Sequence, residues 1–207
     1  MDASTGDPAG EISETRRELL EATRDAMCKH GFADLTMQAI ADESEKSKAA
    51  LHYHFDTKAE LLAETLSYLL GEFIDEVDTG PKGDPEARLR ALTEAQLFGP
   101  NGRDGDSSGH WEYHAMLIEI QSHAPHNETF KGQFTTNYDH VRQLYAEIIE
   151  DGIQQGVFEA VDPARTAAHI MAVIKGARVH HVTTDRDDIA ETVHEALQEQ
   201  VFDSLRP

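Results

Sequence analysis

Apolar residues recur at spacings of three and four along almost the whole chain, and no stretch sustains the alternation of a half-buried strand. That period confines the fold to packed helices, because a helical pattern laid out as a strand would turn half of its apolar side chains to water. Breakers and caps then divide the chain into about nine helices with short links, an all-α protein. Helix 1 is predicted over residues 13–30, with Leu19, Thr23, Ala26 and Met27 on one face and Gly31 at the position that ends it. Thr36 is a good N-cap for helix 2, which turns Met37, Ile40 and Ala41 inward. A break at 43–46 leads to a short helix 3, capped by Ser47, with Leu51, His54 and Phe55 to one side. Thr57-Lys58-Ala59-Glu60 reads as a capping box opening helix 4, whose stripe runs from Leu61 to Val77.

The segment 78–84 is a turn, and Asp84-Pro85 reopens a helix with Asp as cap and Pro in the first turn. Residues 99–109 form a polar, glycine-rich loop. Helical runs follow over 110–122, 127–155, 163–181 and 186–205, punctuated by Ala124-Pro125, Gly156 and Asp162-Pro163. Residues 1–12 are acidic, polar and rich in breakers, without the basic and apolar regions of a secretory signal; they are expected to be a disordered tail. The expected domains are 13–73 and 74–207. No apolar run approaches the roughly 20 residues of a membrane span, so a cytoplasmic location without membrane contact is expected. Cys28 is the only cysteine, which excludes an intrachain disulfide and a thiolate metal cluster; it reads as a small buried residue on the packed face of helix 1.

Charge argues against a polyanionic partner. The chain carries 18 Lys+Arg against 39 Asp+Glu, a net charge of −21. The acid is spread along the chain, and only seven of the basic residues are Lys. Dispersed acid with little Lys is the pattern of a halophilic protein, since concentrated salt screens self-repulsion. Against this background the ten residues Lys46–Phe55 hold no acid, two lysines and two histidines. Residues 163–184 are also free of acid.

Two short helices joined by a tight break after a longer helix make a helix-turn-helix layout. The residues go further than the layout. Gly31-Phe32, then Thr36 to Ile40-Ala41, then Ser47 to Tyr53-His54-Phe55, then Lys58 to Leu61-Leu62 closely resemble the N-terminal DNA-binding domain of the TetR family, over about residues 13–73. The resemblance implies a transcriptional regulator, a repressor by family habit, in which helix 3 enters the major groove. It implies DNA contacts from Thr36, Gln38, Lys46, Ser47, Lys48, Ala49, His52, Tyr53 and Lys58. The caps Thr36 and Ser47 would bring helix N-termini to phosphates, and the lysines would neutralise them. This chain departs from the family pattern at the turn, where Glu45 and Lys46 stand in place of Gly and an apolar residue. Lys46 in place of the apolar residue is expected to swing outward and add a phosphate contact. His52 occupies the usual tyrosine position with Tyr53 beside it, so the phosphate contact falls to either or to both.

For the remaining two thirds the resemblance implies a helical domain for ligand binding and dimerisation. Thr166, Ala167, Ile170, Met171, Ile174 and Ala177, with Ile189, Val193, Leu197 and Leu205, form stripes suited to an isologous homodimer through the last two helices. Arg165, Lys175 and Arg178 would then pair with acids elsewhere, the alternative being an anionic ligand. Trp111, His114, Phe134, Tyr138 and His169 are the candidates for the pocket of an unidentified small-molecule effector. No cofactor is expected. Two other function classes compete with a ligand-released repressor on a double-stranded palindromic operator. One is a metal sensor built on histidines, for which His110 and His114 at i, i+4 are a start but no third ligand is fixed by spacing. The other is a helical-bundle enzyme, for which no nucleophile–base pair, phosphate loop or helical Glu-x-x-His pair speaks.

Overall fold

A computed structural model describes residues 13–44, 46–77, 83–100, 102 and 108–206. The tail at 1–12, Glu45 and most of the 99–109 loop lie outside these residues. The chain divides into two compact units, Met1–Thr65 and Leu66–Pro207, a division that falls within one helix. No strand occurs among the described residues.

The first unit is built from α1 (Glu14–Asp34), α2 (Met37–Glu43), α3 (Lys48–His54) and the start of α4 (Lys58–Val77). Gly31 has φ +70°, a left-handed conformation that L side chains avoid, and it breaks the regular course of α1 where the sequence predicted an end. Each helix start is closed by its own side chain. Thr36 accepts from the Ala39 N–H at 3.1 Å and Ser47 from that of Ala50 at 3.1 Å. At α4 the Thr57 hydroxyl accepts from the Glu60 N–H, while the Glu60 carboxylate reaches back to the Asp56 N–H at 3.0 Å. The core joins Leu19, Leu20 and Met27 of α1 to Ile40, Leu51, Phe55, Leu61 and Leu62, all fully buried. Burying each such side chain is worth about 1.5–3 kcal/mol, which is what a unit this small depends on. Cys28 corrects the expectation of burial: it is exposed, one residue past buried Met27 and so about 100° round the helix.

The second unit continues with α5 (Pro85–Phe98), α6 (Ser108–His123), a 3₁₀ turn at Ala124–His126, α7 (Glu128–Gln154), α8 (Pro163–Thr183) and α9 (Ile189–Leu197). The chain runs on from α9 through a π-helical turn, Gln198–Phe202, to a last helical turn at Asp203–Leu205. Asp84, Asn127 and Asp162 cap their helices through side-chain oxygens at 3.0–3.1 Å from a backbone N–H. Leu89, Leu92, Tyr145, Ile149, Ile170, Ile174, Leu197 and Phe202 form its core. The stripe on α8 assigned to a dimer contact is therefore spent inside the protomer: Ala167, Ile170, Ile174 and Ala177 are buried there, while Met171, Val173, Ile189 and Val193 are only partly covered.

At the end of α7, Gly152 packs so closely on the Phe158 ring that a Cβ at 152 would lie 2.0 Å from a ring carbon. Gly152→Ala is expected to destabilise the protein by about 1–3 kcal/mol or more through overpacking. Thermal unfolding of G152A and of the G152A/F158L double variant checks this, with the second substitution recovering part of the loss.

Candidate nucleic-acid interface

Helix α3 divides its residues between core and solvent. Leu51 and the following Phe55 point into the unit, which leaves Lys48, Ala49, His52 and Tyr53 exposed. Tyr53 is the extreme case, 86 % exposed and edge-on to His54 at 5.2 Å between ring centroids. A tyrosine that far out of a packed unit contributes nothing to the core; its flat face and hydroxyl are open to a partner. Ser47 lies exposed at the start of the same helix and Thr36 exposed at the start of α2. Both hydroxyls are taken by their caps, so what these ends offer an anion is backbone N–H and dipole. Gln38, also exposed, donates to Asp42 one turn on, at 2.8 Å.

Two of the predicted contacts have work inside the unit. The Lys46 ammonium lies 2.8 Å from Glu18 of α1, instead of standing clear of the surface. Lys58 reaches back across the start of α4 and donates to the carbonyls of Phe32 and Leu35, at 2.9 and 2.5 Å, with the Phe32 ring 4.5 Å below the ammonium. These carbonyls follow the Gly31 break, where no regular helix supplies donors. Sequence reasoning gave Lys58 a phosphate and missed this clamp, because its partners lie more than twenty residues away. Arg16 plays a parallel part, pairing with Glu64 and lying 4.6 Å over the Phe55 ring. Lys48 has no acidic partner among the described residues.

In the second unit the ligand candidates separate. Trp111 and His114 of α6 lie together, ring centroids 6.3 Å apart, and Trp111 stacks on His181 of α8 at 3.5 Å and 17°. Phe134 is half-buried, whereas Tyr138 and His169 are exposed, each one residue away from the buried line of its helix. His110 joins the first group, its ring edge-on to His114 at 4.4 Å. Arg178 of α8 donates through Nε to the Gln96 carbonyl at 2.7 Å. The expectation that Arg178 pairs with an acid is corrected: its neighbours are tyrosines and histidines. Arg165 does have an acid, Asp162 at 3.9 Å. Burial and then the Arg178 charge lower His110 to about 4, and the same causes hold His114 well below the ordinary imidazole range. Burial pushes the Tyr113 phenol up to about 12. His110 and His114 are thus neutral at pH 7 beside one guanidinium. Among the described residues no set of three or more His, Cys, Asp or Glu is placed to hold a metal ion, and no helix is long and apolar enough to cross a membrane.

Comparison with known proteins agrees with this division of the chain. Residues 19–65 match the family "Bacterial regulatory proteins, tetR family", and residues 85–205 match "BetI-type transcriptional repressor, C-terminal". The HTH-type transcriptional repressor KstR2 of Mycobacterium tuberculosis is 26% identical over 157 residues, 72% of each chain. The repressor AcnR of Corynebacterium efficiens is 24% identical over 190 residues, covering 81% of this chain and 97% of its own. Among solved structures, a TetR transcription regulator from Haloarcula marismortui is 37% identical with a TM-score of 0.83, over 95% of this chain and 100% of that one. A regulator from Saccharomonospora viridis, in complex with choline, is 25% identical with a TM-score of 0.73, over 91% and 98%.

Two stability measurements separate the roles described above. Lys58→Met is expected to cost about 1.5–3 kcal/mol, the worth of hydrogen bonds to a charged group, and Lys48→Met and Tyr53→Ala next to nothing; denaturant unfolding of the three variants checks the contrast. The second concerns pH. The folded chain holds His110 unprotonated down to about 4, whereas an unfolded imidazole takes its proton near 6.5. Stability present above pH 6.5 is therefore lost as pH falls toward 4. Melting temperatures measured between pH 7 and 4.5 should fall, and less steeply in His110→Phe.

Proposed function

The chain belongs to the TetR family of transcriptional regulators, and from that premise we propose a homodimeric repressor that holds a palindromic operator until a small ligand releases it. It is a DNA-binding transcriptional regulator, and not an enzyme. The observation that carries the reading of the DNA contacts is the exposed row on α3: Lys48, Ala49, His52 and 86 %-exposed Tyr53, in an acid-free segment of a chain at −21. In this reading Tyr53 and His52 meet base edges and sugar-phosphate, Lys48 neutralises a phosphate, and Ser47 and Thr36 present helix N-termini. Gln38 joins them at the rim. Lys46 and Lys58 act chiefly by holding the helices in place, since their ammonium groups already have partners.

The dimer forms through the outer faces of α8 and α9, where Met171, Val173, Ile189 and Val193 are only partly covered by the protomer's own core. The effector site lies in the second unit around Trp111 and His114, and the choline found with the Saccharomonospora regulator supports a small molecule as effector. The protein works in the cytoplasm, in concentrated salt. Dispersed acid supports this, as does the likeness to a Haloarcula regulator.

Footprinting on the DNA upstream of its own gene tests the proposal. Two protected half-sites related by two-fold symmetry, with centres about one helical turn or roughly 34 Å apart, are expected; no protected site counts against the operator. Tyr53→Ala should abolish protection. Lys48→Ala should weaken binding to all sequences alike and reduce the salt slope by about 1. Specific binding should persist in molar KCl, and a steep loss of the ordinary kind would sink the salt-adapted reading.

A further inference from the structure

Arg178 is a half-buried cation without a carboxylate. Its Nε is bound to the Gln96 carbonyl, and among the described residues no Asp or Glu pairs with its guanidinium. The chain has more than two acids for every base, so acids were plentiful. Close by, His110 Nε2 and His181 Nδ1 are buried with no hydrogen-bond partner. The Arg178 charge acts on His110. Buried polar atoms without partners are rare in native proteins. Two of them, beside a half-buried cation that has no acid, place polar donors where the oxygens of an anion could meet them.

We propose that Arg178, His110 and His181 bind a small organic monoanion, a carboxylate with an apolar body, within the second unit. The charge sets the valence. One guanidinium beside His110, whose imidazole stays unprotonated down to about 4, balances a single negative charge, and a dianion such as phosphate would need a second cation. A metal cation would be repelled by Arg178. The donors set the group, because a guanidinium fork and two ring nitrogens on separate helices suit the oxygens of a carboxylate. The stacked Trp111–His181 pair, 3.5 Å apart, gives the apolar body a flat wall. The site rests on the ligand-released repressor above only for what its occupation does to DNA.

Trp111 is the only tryptophan, so its fluorescence reports on the site directly. The full-length protein is titrated with sodium benzoate and sodium butyrate, and in parallel with uncharged benzamide and with sodium chloride at matched ionic strength. A saturable change with at least one carboxylate, and none with benzamide or chloride, is expected. Arg178→Met should weaken that binding roughly 10- to 100-fold, the worth of a charge-assisted hydrogen bond. His110→Phe should weaken it too, in a variant that loses an unpartnered buried nitrogen together with the ring's hydrogen bond to the Leu97 backbone and keeps the ring's packing. The site is overturned if neither carboxylate saturates, if benzamide or chloride does as well, or if both variants bind like the parent. Should Arg178→Met fail to fold, His110→Phe decides: unchanged affinity in a folded variant overturns the site. Operator binding measured with and without saturating carboxylate separates the two readings. Carboxylate bound at Trp111 with the operator still held defeats ligand release and leaves the site standing. An empty site leaves release by another ligand untouched.

Discussion

Positive charge is the scarce component of this chain, and where it is spent decides what each unit can do. With 18 basic residues against 39 acidic ones, a cation left without an acidic neighbour needs a reason. In the first unit Lys29 pairs with Glu43, Lys46 with Glu18 and Arg16 with Glu64. Lys58 serves two backbone carbonyls instead. What remains on the outer side of α3 is Lys48 among neutral side chains. An interface of this kind draws little on counterion release. In the proposed DNA complex, complementarity of shape and directed hydrogen bonds from His52 and Tyr53 would carry more of the recognition, which matches the proposed salt-rich setting, where long-range attraction is screened within a few ångströms.

The same scarcity gives Arg178 its meaning. Elsewhere in both units buried polar groups are satisfied locally: the Thr23, Thr65 and Thr93 hydroxyls each donate to the carbonyl one turn back, at 2.7–2.8 Å. Tyr145, fully buried, has its hydroxyl 3.4 Å from that of Thr93. Against this background the unpartnered nitrogens of His110 and His181 are a local exception, and they gather around the half-buried Arg178, whose guanidinium has no acid. The cost of keeping His110 neutral in acid and the proposed readiness of the site for an anion have one origin, the burial of its ring.

Much of the fold was legible in the sequence. The caps at Thr36, Ser47 and Asp84 and the core positions Leu19, Ile40, Leu51 and Phe55 follow from patterns that close within one or two turns of helix. The same holds for the exposed face of α3, since burying Leu51 and Phe55 leaves His52 and Tyr53 outside. Side chains whose partners lie far along the chain were not legible. Period put Cys28 inside, although it stands one step off the buried line of α1, and which of Phe134, Tyr138 and His169 share a place with Trp111 depends on contacts between helices. The α8 stripe was recognisable as apolar, yet whether it covers its own protomer or a second one is a matter of which surface reaches it first.

The sequence by itself determined that this chain is helical, where its helices begin, which stripe of each is apolar and which family it resembles. Those properties depend on neighbours three or four residues apart. Only the tertiary structure decided how the charges are used. An ion pair or a carbonyl clamp is settled by distances of a few ångströms between residues remote in the chain, as between Lys58 and Phe32 or Arg178 and Gln96. Whether a cation faces an acid or a backbone oxygen depends on that meeting alone.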